Sequence, residues 1–104
     1  MDTTMFFVIF NTFPNTVQAA EVVSGALAHV WVLDSSPDNA LKRAQEYVER
    51  HGFQIKSVQE PLMATTEESF VGEKLAIKSY RRAQKDGIYA FFVGYEKPDP
   101  RIVN

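Results

Sequence analysis

The residues of this chain whose types could do chemistry are two histidines, His29 and His51, and the aromatic and charged groups that neighbouring elements bring near them. A general base needs an imidazole that faces its substrate and a partner that orients the ring. His29 stands in the stretch GALAHVWVLD, residues 25–34, and at a period of two it shares a face with the only tryptophan, Trp31. Tyr89 and Tyr95, on a strand expected at 88–96, are the candidate orienting partners. His29, Trp31, Tyr89, Phe91 and Tyr95 are therefore the candidate ligand-binding or interface residues, and His29 is the one candidate catalytic group. His51 falls in the last turn of an expected helix, where the dipole favours a cation, and that is a structural role. Zinc needs three or four ligands. With no cysteine and two histidines lacking HxxxH-type spacing, the sequence points to no metal site and no cofactor. It contains no serine elbow, phosphate loop, dinucleotide glycine pattern or paired HExxH. Glu67 and Glu68 are accounted for as helix-start residues. The balance leans away from an enzyme.

A second pattern concerns binding. Lys74, Lys78, Arg81, Arg82 and Lys85 fall on about a third of a helix circumference at the helical period. The opposite side carries Ala76, Ile77, Tyr80 and Ala83. Like charges on one stripe repel unless something offsets them. Carboxylates elsewhere in the chain would make this a solvated face; an acidic protein partner is the alternative. Nucleic acid and anionic membranes both call for a basic surface. The net charge is −2, and the aromatic strands at 5–10, 25–33 and 88–95 hold no Lys or Arg, so neither partner is expected.

These groups must be positioned by a single small domain. At 104 residues the chain can bury one core, and the expected division is a domain over 1–96 with a C-terminal tail at 97–104. MFFVIF (5–10) is a continuous apolar run of strand length. Pro14-Asn15 signals a turn, after which Thr16 either caps a short helix or Val17 to Val23 extends the next strand. Asp34-Ser35-Ser36-Pro37-Asp38 opens a helix over 37–51, with Ser36 as N-cap, Pro37 at the first helical position and Gly52 as the terminator. FQIKSVQE (53–60) reads as a strand wet on one face or lying at an edge. Pro61 ends it, and Leu62-Met63-Ala64 is a short return strand. Thr65 and Glu68 are spaced as a capping box, a main helix follows over 73–86, and IYAFFVGYE is the last strand.

The fold class implied is α+β: a two-layer sandwich with a four- to five-stranded, mainly antiparallel sheet and two helices on one face. If Leu62 to Ala64 is a separate strand, residues 25–95 read βαββαβ, the ferredoxin-like order. The strand at 5–10 is then added to it. Two helices on one face would leave an aromatic-rich face in water, larger than a soluble monomer normally exposes. A second copy of the chain is the expected cover, giving a homodimer through the sheet face. No run approaches the length of a membrane span, no leader pattern is present, and the absence of cysteine fits a reducing compartment, so the cytoplasm is the expected location.

The runs GALAHVWVL, HGFQI and RRAQKDGIYAFF resemble those of small uncharacterised bacterial α+β proteins, a domain of unknown function. The likeness covers most of 25–95 and rests on a strand entering a capped helix and a helix entering a strand. It implies a compact stand-alone domain in a bacterial cytoplasm and assigns no activity. From the residues, two functions stand open: a non-enzymatic homo-oligomeric binding or interaction module, and a small-molecule-binding protein or enzyme with a site on the sheet near His29. A polar-lined cavity reaching His29 would favour the second.

Overall fold

Strand β1 runs from Thr4 to Pro14 and pairs antiparallel with both of its neighbours, β2 (Val23–Asp34) and β3 (Phe53–Thr65). Strand β4 (Ile88–Glu96) pairs antiparallel with β2, so the sheet order is β3-β1-β2-β4. Helix α1 (Pro37–Arg50) connects β2 to β3. A 3-10 turn (Glu67–Phe70) and helix α2 (Lys74–Asp86) connect β3 to β4. The computed structural model describes residues 2–17, 20 and 23–96. The expected tail at 97–104 lies outside the described residues, as does most of 18–22. Residues 17 and 20 are helical, Ala20 N–H donates to the Thr16 carbonyl at 3.0 Å, and β2 opens at Val23.

The α+β class, with four antiparallel strands and two helices, is the one the element pattern implies. Two finer expectations are replaced. First, the strand expected at Leu62 to Ala64 is not separate. β3 continues through Pro61, and the register against β1 skips between Phe7↔Met63 and Ile9↔Glu60. Two steps on β1 oppose three on β3, so Pro61 sits in a bulge. That is one of the places in a sheet edge where a residue without an N–H is tolerated. Residues 25–95 therefore contain three strands rather than four, and Met5 to Phe10 belongs to a central strand rather than an added one.

Second, the helices take opposite faces. Phe6, Val8, Phe10, Ala28, Val30 and Val32 pack with Ala40, Ala44 and Val48 of α1. The intervening residues Met5 and Trp31 pack with Phe70 and with Ala76, Tyr80 and Ala83 of α2. Alternate strand residues point to opposite sides of a sheet, so α1 covers one side and α2 the other. The connectivity explains it. α1 crosses over β1 to join β2 to β3, whereas α2 must carry the chain from one edge strand, β3, to the other, β4. The aromatic face that a monomer was expected to leave in water is covered in large part by its own α2.

Local chemistry fixes both helices. Ser36 Oγ accepts from Asn39 N–H at 3.3 Å as N-cap, and Pro37 occupies the first helical position. Asp34, at the end of β2, accepts from Ser36 N–H (3.0 Å), Asn39 Nδ2 (2.8 Å) and Arg43 Nη1 (3.0 Å), which pins α1 to the strand it follows. These donors, the Ser36 amide first, hold its carboxyl below the usual range. The capping pair before α2 lies one residue further along than expected: Thr66 N–H donates to Ser69 Oγ at 3.2 Å. Thr65 instead donates its hydroxyl to the Met5 carbonyl at 3.0 Å. Gly87 ends α2 at φ +88, the left-handed conformation that favours glycine. No helix among the described residues is long and apolar enough to cross a membrane.

Candidate functional site

On the α2 face strands β1, β2 and β4 set aromatic side chains in register. Ile9 stands beside His29 and His29 beside Phe91; one level down, Phe7 stands beside Trp31 and Trp31 beside Tyr89. His29 stacks on Phe91 with ring centroids 4.5 Å apart and planes at 11°. Trp31 contacts Phe7 at 4.7 Å and meets Phe70 edge to face at 5.5 Å. α2 buries the centre of the lower level and leaves its flanks, Phe7 and Tyr89, and the upper level partly open. Trp31 is completely buried, while His29 and Phe91 are half-buried.

The step between the two levels is a pocket of about 390 Å3. Its floor is Phe7, Ile9, His29, Trp31 and Phe91 from the sheet. Its wall is Phe70, and the first turn of α2, Glu73 to Ala76, forms the mouth. The volume lies in the range of small-molecule sites. Two buried nitrogens among the lining residues, His29 Nδ1 and Trp31 Nε1, have no hydrogen-bond partner. Buried polar groups in folded proteins are nearly always paired, and an unpaired one costs about 1–3 kcal/mol. Burial pushes the His29 pKa below its usual 6.5, with the Leu27 backbone and the Glu73 carboxylate pulling weakly the other way. The imidazole is accordingly neutral at pH 7.

Of the residues singled out in the sequence, the fold brings His29, Trp31 and Phe91 together in this pocket. Tyr89 and Tyr95 lie on the same face but not in it. Tyr89 is under Arg82, whose Cζ stands 5.8 Å from the ring centroid. Tyr95 is at the far end, where its ring crosses Gly25 and its hydroxyl donates to Asn11 Oδ1 at 3.4 Å. Neither tyrosine hydrogen-bonds to His29, so the partner that a catalytic base needs is not supplied by them. Lys74, singled out as part of the basic stripe, also borders the pocket, whereas Phe7, Ile9, Phe70, Glu73, Leu75 and Ala76 are lining residues that the sequence did not mark as a site. The parity of Phe7 and Ile9 was visible, but the sheet neighbour of β2 was not.

The basic stripe is partly neutralised within the chain. Arg81 Nε donates to Glu67 Oε1 at 2.7 Å, and Arg82 Nε to Asp86 Oδ2 at 2.6 Å. Lys74 lies at the pocket mouth, while Lys78, Arg81, Arg82 and Lys85 border a separate open groove beside Tyr89. His51 Nδ1 is 2.7 Å from the Tyr47 carbonyl, a contact that requires the nitrogen to donate and closes the end of α1. No group of three or more potential metal-ligating side chains occurs among the described residues. Compared with known proteins, the chain matches no family model, no curated protein and no solved structure.

Proposed function

We propose that this chain is a small-molecule-binding domain whose ligand occupies the pocket between His29, Trp31 and the start of α2. The observation that carries the reading is an open cavity of about 390 Å3 whose lining is mainly aromatic and apolar, with the half-buried imidazole of His29 among it. Aromatic walls with a few polar groups are the composition of a binding site. Trp31 is the only tryptophan, so its emission reports on the pocket directly. Titration with a set of small aromatic and aliphatic fragments should shift or quench that emission and raise the melting temperature for some of them. If no fragment does either, the reading is wrong.

A second reading keeps the expected self-association as an interaction module. Beyond the end of α2 the same face exposes Val93, at 47% of its surface, and Tyr95, at 45%, with Phe13 nearby on β1. A homodimer through this end of the sheet would cover them, and light scattering at micromolar concentration tests it. The two readings are compatible, because that end of the face adjoins the pocket without filling it. An acidic partner on the Lys78 and Lys85 side of α2 is the remaining proposal for the basic stripe. A cytoplasmic location is supported by the absence of cysteine and by the lack, among the described residues, of a helix long and apolar enough to cross a membrane.

A further inference from the structure

The sheet has two outer edges, and the chain treats them differently. Among the described residues β3 forms one edge and β4 the other. β3 carries Lys56 and Glu60, and its register against β1 shifts three times, with Pro61 in a bulge. Charges, prolines and bulges are the devices that keep an edge from pairing with another chain. β4 has none of them. IYAFFVGY (88–95) holds no charge and no proline, and its register against β2 is unbroken from Gly25↔Tyr95 to Val32↔Ile88. It is apolar on both parities, as a covered strand is, yet none of residues 88–95 is buried.

Which backbone groups β4 leaves free follows from its pairing. Leu33 N–H donates to the Gly87 carbonyl at 2.9 Å, and these residues stand opposite each other one step before the Val32↔Ile88 pair. Bonded and unbonded pairs alternate along an antiparallel ladder. Tyr89, Phe91, Val93 and Tyr95 therefore bond inward to β2, and the N–H and C=O of Ile88, Ala90, Phe92 and Gly94 point out of the edge. Two such edges, run antiparallel about a two-fold at Phe92, match group for group. Phe92 then bonds to Phe92, and Ala90 to Gly94 in both directions. The side chains match as well: on the α2 face Tyr89 comes opposite Tyr95 and Phe91 opposite Val93, with no like charges facing each other. Aromatic and branched cross-strand pairs of this kind are favourable. They would cover Val93 and Tyr95, two of the large apolar side chains that the single chain leaves exposed.

Resting on the self-association reading above, we propose that the partner is a second copy of this chain, joined edge to edge through β4. The two four-stranded sheets become one continuous sheet. Pairing about a two-fold consumes both β4 edges, and the edges left at its ends are the defended β3 strands, so assembly stops at a dimer.

Amide exchange followed by NMR, with light scattering on the same samples, tests this on the full chain. At high micromolar concentration the chain should be a dimer. With about nine-tenths of the chains paired, the Ala90, Phe92 and Gly94 amides should exchange about ten-fold more slowly than in dilute protein. The Phe91 amide, bonded to β2, should be protected at both concentrations. Ala90→Pro keeps the Cβ and removes an outward N–H, a change that an edge strand tolerates, and it should return the chain to a monomer. The exchange measurement needs no variant, so it decides even where Ala90→Pro fails to fold. A dimer that survives Ala90→Pro, or whose Ala90, Phe92 and Gly94 amides exchange as in dilute protein, would overturn the edge and keep self-association through the face. A monomer at every concentration would overturn both. Growth beyond a dimer would overturn the closed two-fold.

Discussion

The two faces of the sheet are built from the same strands and solve different problems. Against α1 the strands present Val8, Phe10, Ala28, Val30 and Val32, each fully buried, and the helix answers with Ala40, Ala44 and Val48. Small residues on the helix let it approach closely, and no buried side-chain nitrogen or oxygen among these residues is left without a partner. Against α2 the strands present Phe7, His29, Trp31, Tyr89 and Phe91. The rings are too large and rigid to interdigitate closely with a helix that covers only part of them. A cavity and two unpaired nitrogens remain there. On the proposed reading, stability rests chiefly on the α1 face and binding on the α2 face, a division that experiment can break.

The largest effect should come from truncating matched phenylalanines. Phe10→Ala, at a fully buried position on the α1 face, should cost about 3–5 kcal/mol. Phe7→Ala, at a half-buried position beside the pocket, should cost about half as much, because part of that ring is already without neighbours. Urea unfolding of the two variants measures both. Equal costs would mean that the α2 face is packed as a core and not as a site.

Gly25 tests the far end of the α2 face. A Cβ there would stand 2.9 Å from the Thr12 carbonyl and 3.1 Å from the Tyr95 ring. The ring can give way but the backbone cannot, so Gly25→Ala should destabilise by about 1–3 kcal/mol. The same variant should break the Tyr95 contact with Asn11 and alter any self-association through that end, leaving fragment binding at Trp31 in place. Loss of both at once would show that the two ends of the face are not independent.

His29 gives a smaller effect of opposite sign. His29→Phe keeps the stacking on Phe91 and removes a buried nitrogen without a partner, so it should stabilise the fold by about 1 kcal/mol. It should also change the pH dependence. Above the usual value of 6.5 the imidazole is neutral folded and unfolded and contributes nothing. As pH falls through 6.5 the unfolded chain takes a proton that the folded chain resists, so stability declines until the lowered folded pKa is passed. Asp34 and Glu67, both held below their usual 3.8 and 4.5, lose their contribution only in stronger acid. The decline just below pH 6.5 should therefore vanish in His29→Phe while the acid limb remains. If melting curves keep that decline, His29 is not buried as neutral imidazole.

How much of this was legible follows from what each signal encodes. Both ends of α1 were readable residue by residue, because Ser36, Pro37 and Gly52 act within a few positions of where they stand. The doubled apolar character of 5–10, 25–33 and 88–95 was readable too, but it says only that both faces are covered. What covers them depends on sheet order, and nothing local to Met5 to Phe10 says that β1 lies between β2 and β3. Pro61 misled in the same way, because a proline that ends a regular strand is also accommodated in a bulge. His29, Trp31 and Phe91 shared a face by parity alone, so half the pocket was visible. Its mouth was not, since α2 had been placed on the other side.

The smallest effect is expected on the outer side of α2. Reversing Arg81 and Arg82 breaks two exposed ion pairs, to Glu67 and Asp86, and pairs of that kind contribute little to folding. With both pairs lost together, the melting temperature should fall by about 4–8 °C, and fragment affinity should hold, because Lys74 and not the two arginines lies at the pocket mouth. The comparison of faces would be sharpened by that result, since it confines binding to the inner side of the helix. A large loss of fragment affinity would instead carry the site out along the stripe, into the groove that Lys78, Lys85 and Tyr89 border. The five basic residues would then act as one surface rather than as a solvated face with a single cation at its end.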